Sequence, residues 1–245
     1  MSKGPVLILG GRSDIGLAVA HRFAAAGHPI QLAARDAERL AAEKSNIELR
    51  YSVPVSLHEF DALETGSHEA FADQLKVLPE IVICAVGVLG DQAESERDIA
   101  SATLVMRSNY EGPASILGVL ANRLQVRGRG TLVGISSVAG DRGRATNYVY
   151  GSAKAGFTTF LSGLRNRLAK KGVHVVTVKP GFVATKMVEG MDFPEMLTAK
   201  PNDLAEAIAK AVSRKRNVIY VKLIWVVIMM MIRNIPEGIF KGLKL

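Results

Sequence analysis

Disulfide chemistry is absent from this chain. One cysteine occurs in 245 residues, so no internal bridge can form, and Cys84 sits in an apolar, strand-like run that suits a core position in a reducing compartment. The five histidines are scattered without ligand spacing, which predicts that no metal is bound. Aromatic residues are few, 6%, and no apolar run reaches the roughly 20 residues that a membrane-spanning helix needs. The amino terminus enters strand-like sequence by residue 5, leaving no room for a secretory signal, so the expectation is a cytoplasmic protein.

The composition that remains is 48% hydrophobic with a net charge of +8 and a pI near 9.7. That content supports one sizeable core. The basic residues are dispersed except at 213–216 and in the tail, and no RNA- or DNA-binding motif accompanies them. Nucleic acid is therefore not an expected partner, and an anionic cofactor, substrate or lipid fits better.

Along the chain, residues 5–9 read as a buried strand, followed by GGRSDIG at 10–16 and a helix to about residue 26. Strand, glycine turn and helix is the phosphate-binding order, because glycines let a pyrophosphate approach the backbone and N–H groups at the helix start favour its charge. Asp14 is read as the cap of that helix. Residues 30–34 form a second strand that ends at Arg35 and Asp36. An arginine there accommodates a 2′-phosphate, with Arg12 as a second positive charge, or else Arg35 is a solvated helix-start residue. Residues 46–54 read as irregular and 55–60 as a third strand, with Asp61 after it. Residues 80–87 give a fourth, 92–124 a helical region containing Asn109, 130–135 a fifth strand and 173–178 a sixth. Pro201 and Asn202 cap a helix to about residue 213, and 217–221 is the last strand.

The centre of this arrangement is residues 134–154. Tyr150 and Lys154 are four apart on one helix face, close enough for the ammonium to favour the phenolate, which makes Tyr150 a candidate general acid or base. Ser137 lies thirteen residues earlier at a strand end, where an α/β sheet places its ligand crevice, and its hydroxyl could hold a carbonyl oxygen beside the phenol. Taken alone, the Tyr–Lys pair would also suit an ordinary helix surface.

With these motifs together, the chain resembles the short-chain dehydrogenases/reductases over nearly its whole length. The resemblance implies an α/β fold of Rossmann type, a doubly wound parallel sheet in one domain, and an oxidoreductase acting on CH–OH or C=O groups with NADP(H) favoured over NAD(H). It implies a catalytic set of Asn109, Ser137, Tyr150 and Lys154, in which Asn109 interrupts its helix and holds a water. Cofactor contacts carried over are Gly10, Arg12, Ser13, Ile15, Gly16, Arg35, Asp61, Gly87, Tyr150, Lys154, Pro180, Gly181, Val183 and Thr185. Asp61 would contact the adenine, or cap the segment after it; Val183 would clamp the carboxamide through its backbone. The family's middle loop glycine is Asp14 here, and two strand-end asparagines are replaced by Cys84 and Ala85. Family members pair through long helices, here 92–124 and 150–171, which implies a homodimer or homotetramer.

Residues 187–200, with Met187, Met191, Phe193, Met196 and Leu197, lie where the family builds its substrate lid, although plain hydrophobic packing would also account for them. The chain is expected to divide into a catalytic domain, 1–221, and a tail, 222–245. The tail holds ten consecutive apolar residues, 223–232, about 15 Å of helix against a ~30 Å hydrocarbon core. It is apolar on every helical face, so it calls for lipid or protein all round: a membrane interface on the inner face with Lys222, Arg233, Lys241 and Lys244 at headgroup level, the lid, or a second subunit. Several short stretches resemble one branch of the family, the reductases of a 2-keto pentose carried on polyprenyl phosphate. The substrate is thereby expected to be a small molecule or a lipid-linked sugar. A soluble ketone or 3-oxoacyl thioester reductase is the alternative, and a non-catalytic NADP(H) sensor is an alternative of another class.

Overall fold

In a computed structural model, which describes residues 3–188, 190 and 193–243 apart from the side chain at 188, seven strands form one parallel sheet. They are β1 (Val6–Leu9), β2 (Ile30–Ala34), β3 (Val55–Glu59), β4 (Ile81–Cys84), β5 (Gly130–Ile135), β6 (Val173–Pro180) and, after the short pair β7 (Phe182–Val183) and β8 (Thr198–Ala199), β9 (Val218–Val221). The order is β3-β2-β1-β4-β5-β6-β9. The direction of winding reverses between β1 and β4, and the crevice at the carboxyl ends of the strands opens at such a switch point.

Both faces of the sheet are covered, which is why β1 and β4 at its centre are continuous apolar runs, whereas the edge strand β3 alternates. Val6, Ile8, Val133 and Val176 point to the side packed by α1 (Asp14–Ala24), α2 (Ala41–Tyr51) and, near the chain's end, a helix from 201. Leu7, Leu9, Leu132 and Val175 point to the other side. There they meet Phe71 of α3 (His68–Gln74) and the large side chains of the helices that follow α4 (Gln92–Ser95) and α5 (Ile99–Met106). These are α6 (Gly112–Arg127), with Ile116, Leu120 and Leu124, and α7 (Tyr148–Leu168), with Phe157 and Leu161. The chain closes with α8 (Pro201–Ser213), α9 (Ile224–Asn234) and α10 (Glu237–Phe240).

Three readings of the sequence are corrected here. Residues 46–51 are helical, the last turns of α2, because Ile47 reaches the core and the Glu48 carboxylate accepts from the Val55 N–H at 3.1 Å. Asp14 does not cap α1: Ser13 does, its Oγ accepting from the Gly16 N–H at 2.9 Å. The Asp14 carboxylate instead accepts from the Lys186 N–H at 2.7 Å, joining the glycine loop to the segment after β7. α8 is capped not by Pro201 and Asn202 but by Lys200 with the Asp203 carboxylate, which accepts from the Lys200 N–H at 3.0 Å. The helical region 92–124 is interrupted at Asn109, as the resemblance implied. It breaks after α4 and again at a π-helical turn, Arg107–Glu111. Pro113 lacks the N–H that an α-helix would direct to the Asn109 carbonyl, and the Gly112 N–H reaches back to the Arg107 carbonyl.

Candidate active site

Ser137 leaves β5, Tyr150 and Lys154 rise from the first turns of α7, and Asn109 descends from the π-turn; all four line one cavity of about 520 Å³. Ile15, Gly87, Pro180, Gly181, Val183 and Thr185 line it too. Gly10, Arg12, Ser13, Gly16, Arg35 and Asp61 do not. They follow β1, β2 and β3 on the adjoining carboxyl edge of the sheet.

Lys154 is 4% exposed. Its Nζ donates to the Ile135 carbonyl at 3.0 Å and lies 5.7 Å from the centre of the Tyr150 ring. Burial brings the ammonium down to about 8. The same burial raises the Tyr150 phenol above its ordinary value, while hydrogen bonding with Ser137 draws it back. The expected dominance of the lysine charge over the phenol is thus reversed, since desolvation works against both charged forms. A phenol held high stays protonated at neutral pH and is poised to donate. Ser137 Oγ accepts from the Ala139 N–H at 3.1 Å, which turns the rest of its hydroxyl toward Tyr150 and the cavity, where a substrate oxygen could accept its proton.

Asn109 is completely buried. Its Nδ2 donates to the carbonyls of Val88 at 2.6 Å and Val105 at 2.8 Å, fixing the amide so that Oδ1 faces inward without a partner. A Cβ added at Gly87 would fall 2.5 Å from that Oδ1 and 3.2 Å from Lys154 Nζ, so both polar atoms converge over this glycine.

The nucleotide edge is equally specific. Gly10 has φ of +87°, and a Cβ there would come within 2.8 Å of the Ala85 carbonyl, so only glycine lets β1 turn so closely over β4. Arg12 reaches across the end of β2, donating to the Arg35 carbonyl at 3.2 Å and pairing with Asp36 at 3.3 Å. Arg39 also faces Asp36, at 3.5 Å. Arg35 is exposed and has no ion pair among the described residues. Asp61 closes a local turn by accepting from the Leu63 N–H at 2.9 Å. The orphaned Asn109 oxygen, the glycine cradle and the start of α1 fit an elongated dinucleotide laid from β2 to β5. A nicotinamide cofactor bound there supplies or accepts a hydride.

The tail forms part of the cavity wall. Trp225 of α9, 4% exposed, lies so close against Gly181 that an added Cβ would fall inside the indole, and its Nε1 donates to the Leu197 carbonyl at 3.0 Å. Its ring meets Phe182 edge-on at 5.3 Å, and Phe182 stacks on Phe193 at 3.9 Å. Lys222 donates to the carbonyls of Glu195 and Met196, so its ammonium is engaged with the lid segment. Arg142, between Ser137 and Tyr150, ties down the end of α9. Its guanidinium donates to the Ile232 and Ile235 carbonyls at 2.7 and 2.6 Å, pairs with Glu237 at 2.8 Å and lies 3.6 Å over the Phe240 ring. Beside it Asp141 accepts from Lys179 at 2.5 Å and from the Tyr220 hydroxyl at 2.7 Å. Of the sequence-stretch residues named above, Met191 and Lys244 lie outside the described residues. Sequence reasoning missed Arg142 and Arg144 altogether. It left the tail to lipid, lid or a second subunit without singling out Trp225 as part of the cavity wall, although the single tryptophan of the chain in its longest apolar run was the available signal.

Fold and site together define a Rossmann-type oxidoreductase. The short chain dehydrogenase family matches residues 5–194, and the chain belongs to it. An uncharacterized oxidoreductase of Mycobacterium tuberculosis is 40% identical over 220 residues, spanning 89% of this chain and 88% of that protein. Another from Streptomyces coelicolor is 36% identical over 249 residues, spanning 99% and 98%. A solved short-chain dehydrogenase from Sphingobium yanoikuyae in complex with NADPH shares the fold, with a TM-score of 0.82 at 24% identity over 96% of this chain and 97% of its own.

Proposed function

We propose that this protein is an NADP(H)-dependent ketone reductase working at a membrane surface on an amphiphilic ketone, the 2-keto group of a polyprenyl-phosphate-linked pentose. One observation carries the reading: the cavity that holds Tyr150 and Ser137 is walled by Phe182, Phe193, Met187 and Trp225, and the helix that supplies Trp225 exposes its opposite face. On that face Val227, Met230 and Met231 are each more than half exposed, with Leu223 and Ile239 beside them. Arg233 and Lys241 are exposed nearby, and each could add up to about 1 kcal/mol of attraction to an anionic leaflet. Among the described residues no helix is long and apolar enough to cross a membrane, so the contact would be peripheral.

In this reading Ser137 donates to the carbonyl oxygen and Tyr150 delivers the proton to it as the carbon is reduced. Lys154 and Asn109 hold the water through which that proton is replaced. Arg12 occupies Asp36, so Arg35 is left to meet a 2′-phosphate; this supports NADP(H), and Asp61 would accept from the adenine amine. Pairing of two or four copies through α5, α6 and α7 is part of the proposal. The deciding experiment measures NADPH oxidation with a lipid-linked keto-sugar, soluble bulky ketones and a 3-oxoacyl thioester. It is combined with flotation on anionic liposomes of the whole chain and of a chain ending at Val221 whose folding is checked by circular dichroism. Turnover of the lipid-linked ketone and salt-sensitive flotation that requires the tail are expected. Preference for a soluble ketone with no flotation overturns the membrane reading, and NADPH binding without turnover of any ketone would make the protein a sensor.

A further inference from the structure

The loop between Ser137 and Tyr150 carries a second arginine, Arg144, that the catalytic arrangement does not use. It lines the same cavity, as do Asn147, Val149 and Gln92. Its Nε is buried and has no hydrogen-bond partner, and no carboxylate pairs with the guanidinium among the described residues. Burial accordingly lowers its pKa from the ordinary arginine value, with no opposing charge to offset the shift. The one carboxylate that also faces this cavity among its described lining residues, Asp91, is committed to the start of α4, where it accepts from the Glu94 N–H at 2.7 Å. The neighbouring Asn147 oxygen is likewise buried and unpartnered. The loop is not slack: the Val149 N–H donates to the Gln92 side chain at 3.2 Å, and Arg142 anchors the other end to α9.

A half-buried guanidinium whose Nε is shut off from water without a counter-charge disfavours the fold, and a planar fork of donors in a cavity matches the oxygens of a phosphate or carboxylate. We propose, on the reductase reading above, that Arg144 is a substrate-specificity residue: it receives an oxyanion carried by the ketone substrate, with Asn147 accepting from a hydroxyl beside it. The site is distinct from the nucleotide edge, whose cations Arg12 and Arg35 follow β1 and β2 and lie outside this cavity. A substrate held between Arg144 and Ser137 bears its anionic group on one side of the reacting carbonyl and its apolar part against Trp225.

Trp225 is the only tryptophan and lines the cavity, so its emission reports occupancy directly. The protein, saturated with NADP⁺ to fill the nucleotide edge, is titrated with phenyl phosphate, benzoate and the neutral benzyl alcohol. Saturable binding of at least one anionic probe, weakened about tenfold or more in Arg144→Gln and partly kept in Arg144→Lys, is expected, as follows from losing a charge-assisted pair. Benzyl alcohol should respond equally in all three, and the tighter of the two anions tells phosphate from carboxylate. Equal anion binding by parent and Arg144→Gln, or anions binding the parent no better than benzyl alcohol, overturns the assignment; the parent's anion-to-alcohol contrast stands even if a variant fails to fold. Ketone turnover is measured separately. Anion dependence without turnover removes the reductase reading and leaves the anion site, whereas turnover with no anion dependence does the reverse.

Discussion

Replacing Lys154 by methionine should make the cofactor-free protein more stable while removing its activity. The ammonium is almost wholly buried, it donates to the Ile135 carbonyl, and no carboxylate pairs with it among the described residues. Burial lowers it from its ordinary 10.5 to about 8, a span of about 2.5 pH units. At about 1.4 kcal/mol per unit this corresponds to roughly 3 kcal/mol of net penalty borne by the folded state at pH 7. Methionine fills nearly the same volume without the charge. Against the gain stands the orphaned Ile135 carbonyl, about 1 kcal/mol or somewhat more, so a net stabilisation of roughly 1–3 kcal/mol is expected at pH 7. The sign with pH follows from the protons. Between about 8 and 10.5 the unfolded chain keeps the lysine proton and the folded chain has released it, so the parent gains stability as pH rises through that window, and its deficit relative to Lys154→Met closes. Tyr150 and Cys84, the latter raised from 9.0 to about 11 by burial, lower stability as pH rises through the upper part of the window, but both are present in parent and variant, so the gap between the two reports Lys154. Urea unfolding at pH 7, 8, 9 and 10 measures the gap. A gap that does not change with pH, or a variant several kcal/mol less stable at pH 7, would refute the reasoning.

Tyr150→Phe should abolish turnover while cofactor affinity, followed by NADPH fluorescence, stays within a few-fold; residual activity within tenfold of the parent would contradict its role as proton donor. Arg35→Ala should weaken NADPH by about 1.5–3 kcal/mol more than NADH, the range for a charge-assisted contact; equal losses would show that Arg35 does not meet the 2′-phosphate. Arg142→Ala removes two short bonds to carbonyls at the end of α9 and the contact with Phe240. Because Glu237 is mostly exposed its ion pair adds little, so docking of the tail should weaken by about 2–4 kcal/mol. Faster proteolysis within residues 222–243 and a red-shifted Trp225 emission are expected, and an unchanged cleavage rate would show that the apolar contacts alone hold α9.

Local signals in the sequence were sufficient for the sheet and for the order of the site. Strands 30–34 and 130–135 were legible to the residue because both faces of a parallel sheet are buried, so each strand reads as a mostly apolar run, broken only by Gln31 in one and Thr131 in the other. The spacing of Tyr150 and Lys154 was sufficient to put them on one helix face, since 3.6 residues per turn settles that locally. Residues 46–51 misled because their helix buries only Ile47, leaving too few apolar positions for a period to show. Tertiary structure decided the properties that depend on distant neighbours. Whether burial or the lysine charge governs Tyr150 depends on the walls of the cavity, and those come from β4, β5, β6 and α9. The Arg142 side chain binds carbonyls some ninety residues away, and Asp14 binds a backbone N–H 172 residues on. The ten apolar residues of the tail have no period that distinguishes one face from another; only the docking of Trp225 against Gly181 determines which face meets protein and which is left outward. Periodicity along a chain records which residues avoid water, whereas the identity of the partner that excludes it is set by the packing of the whole fold.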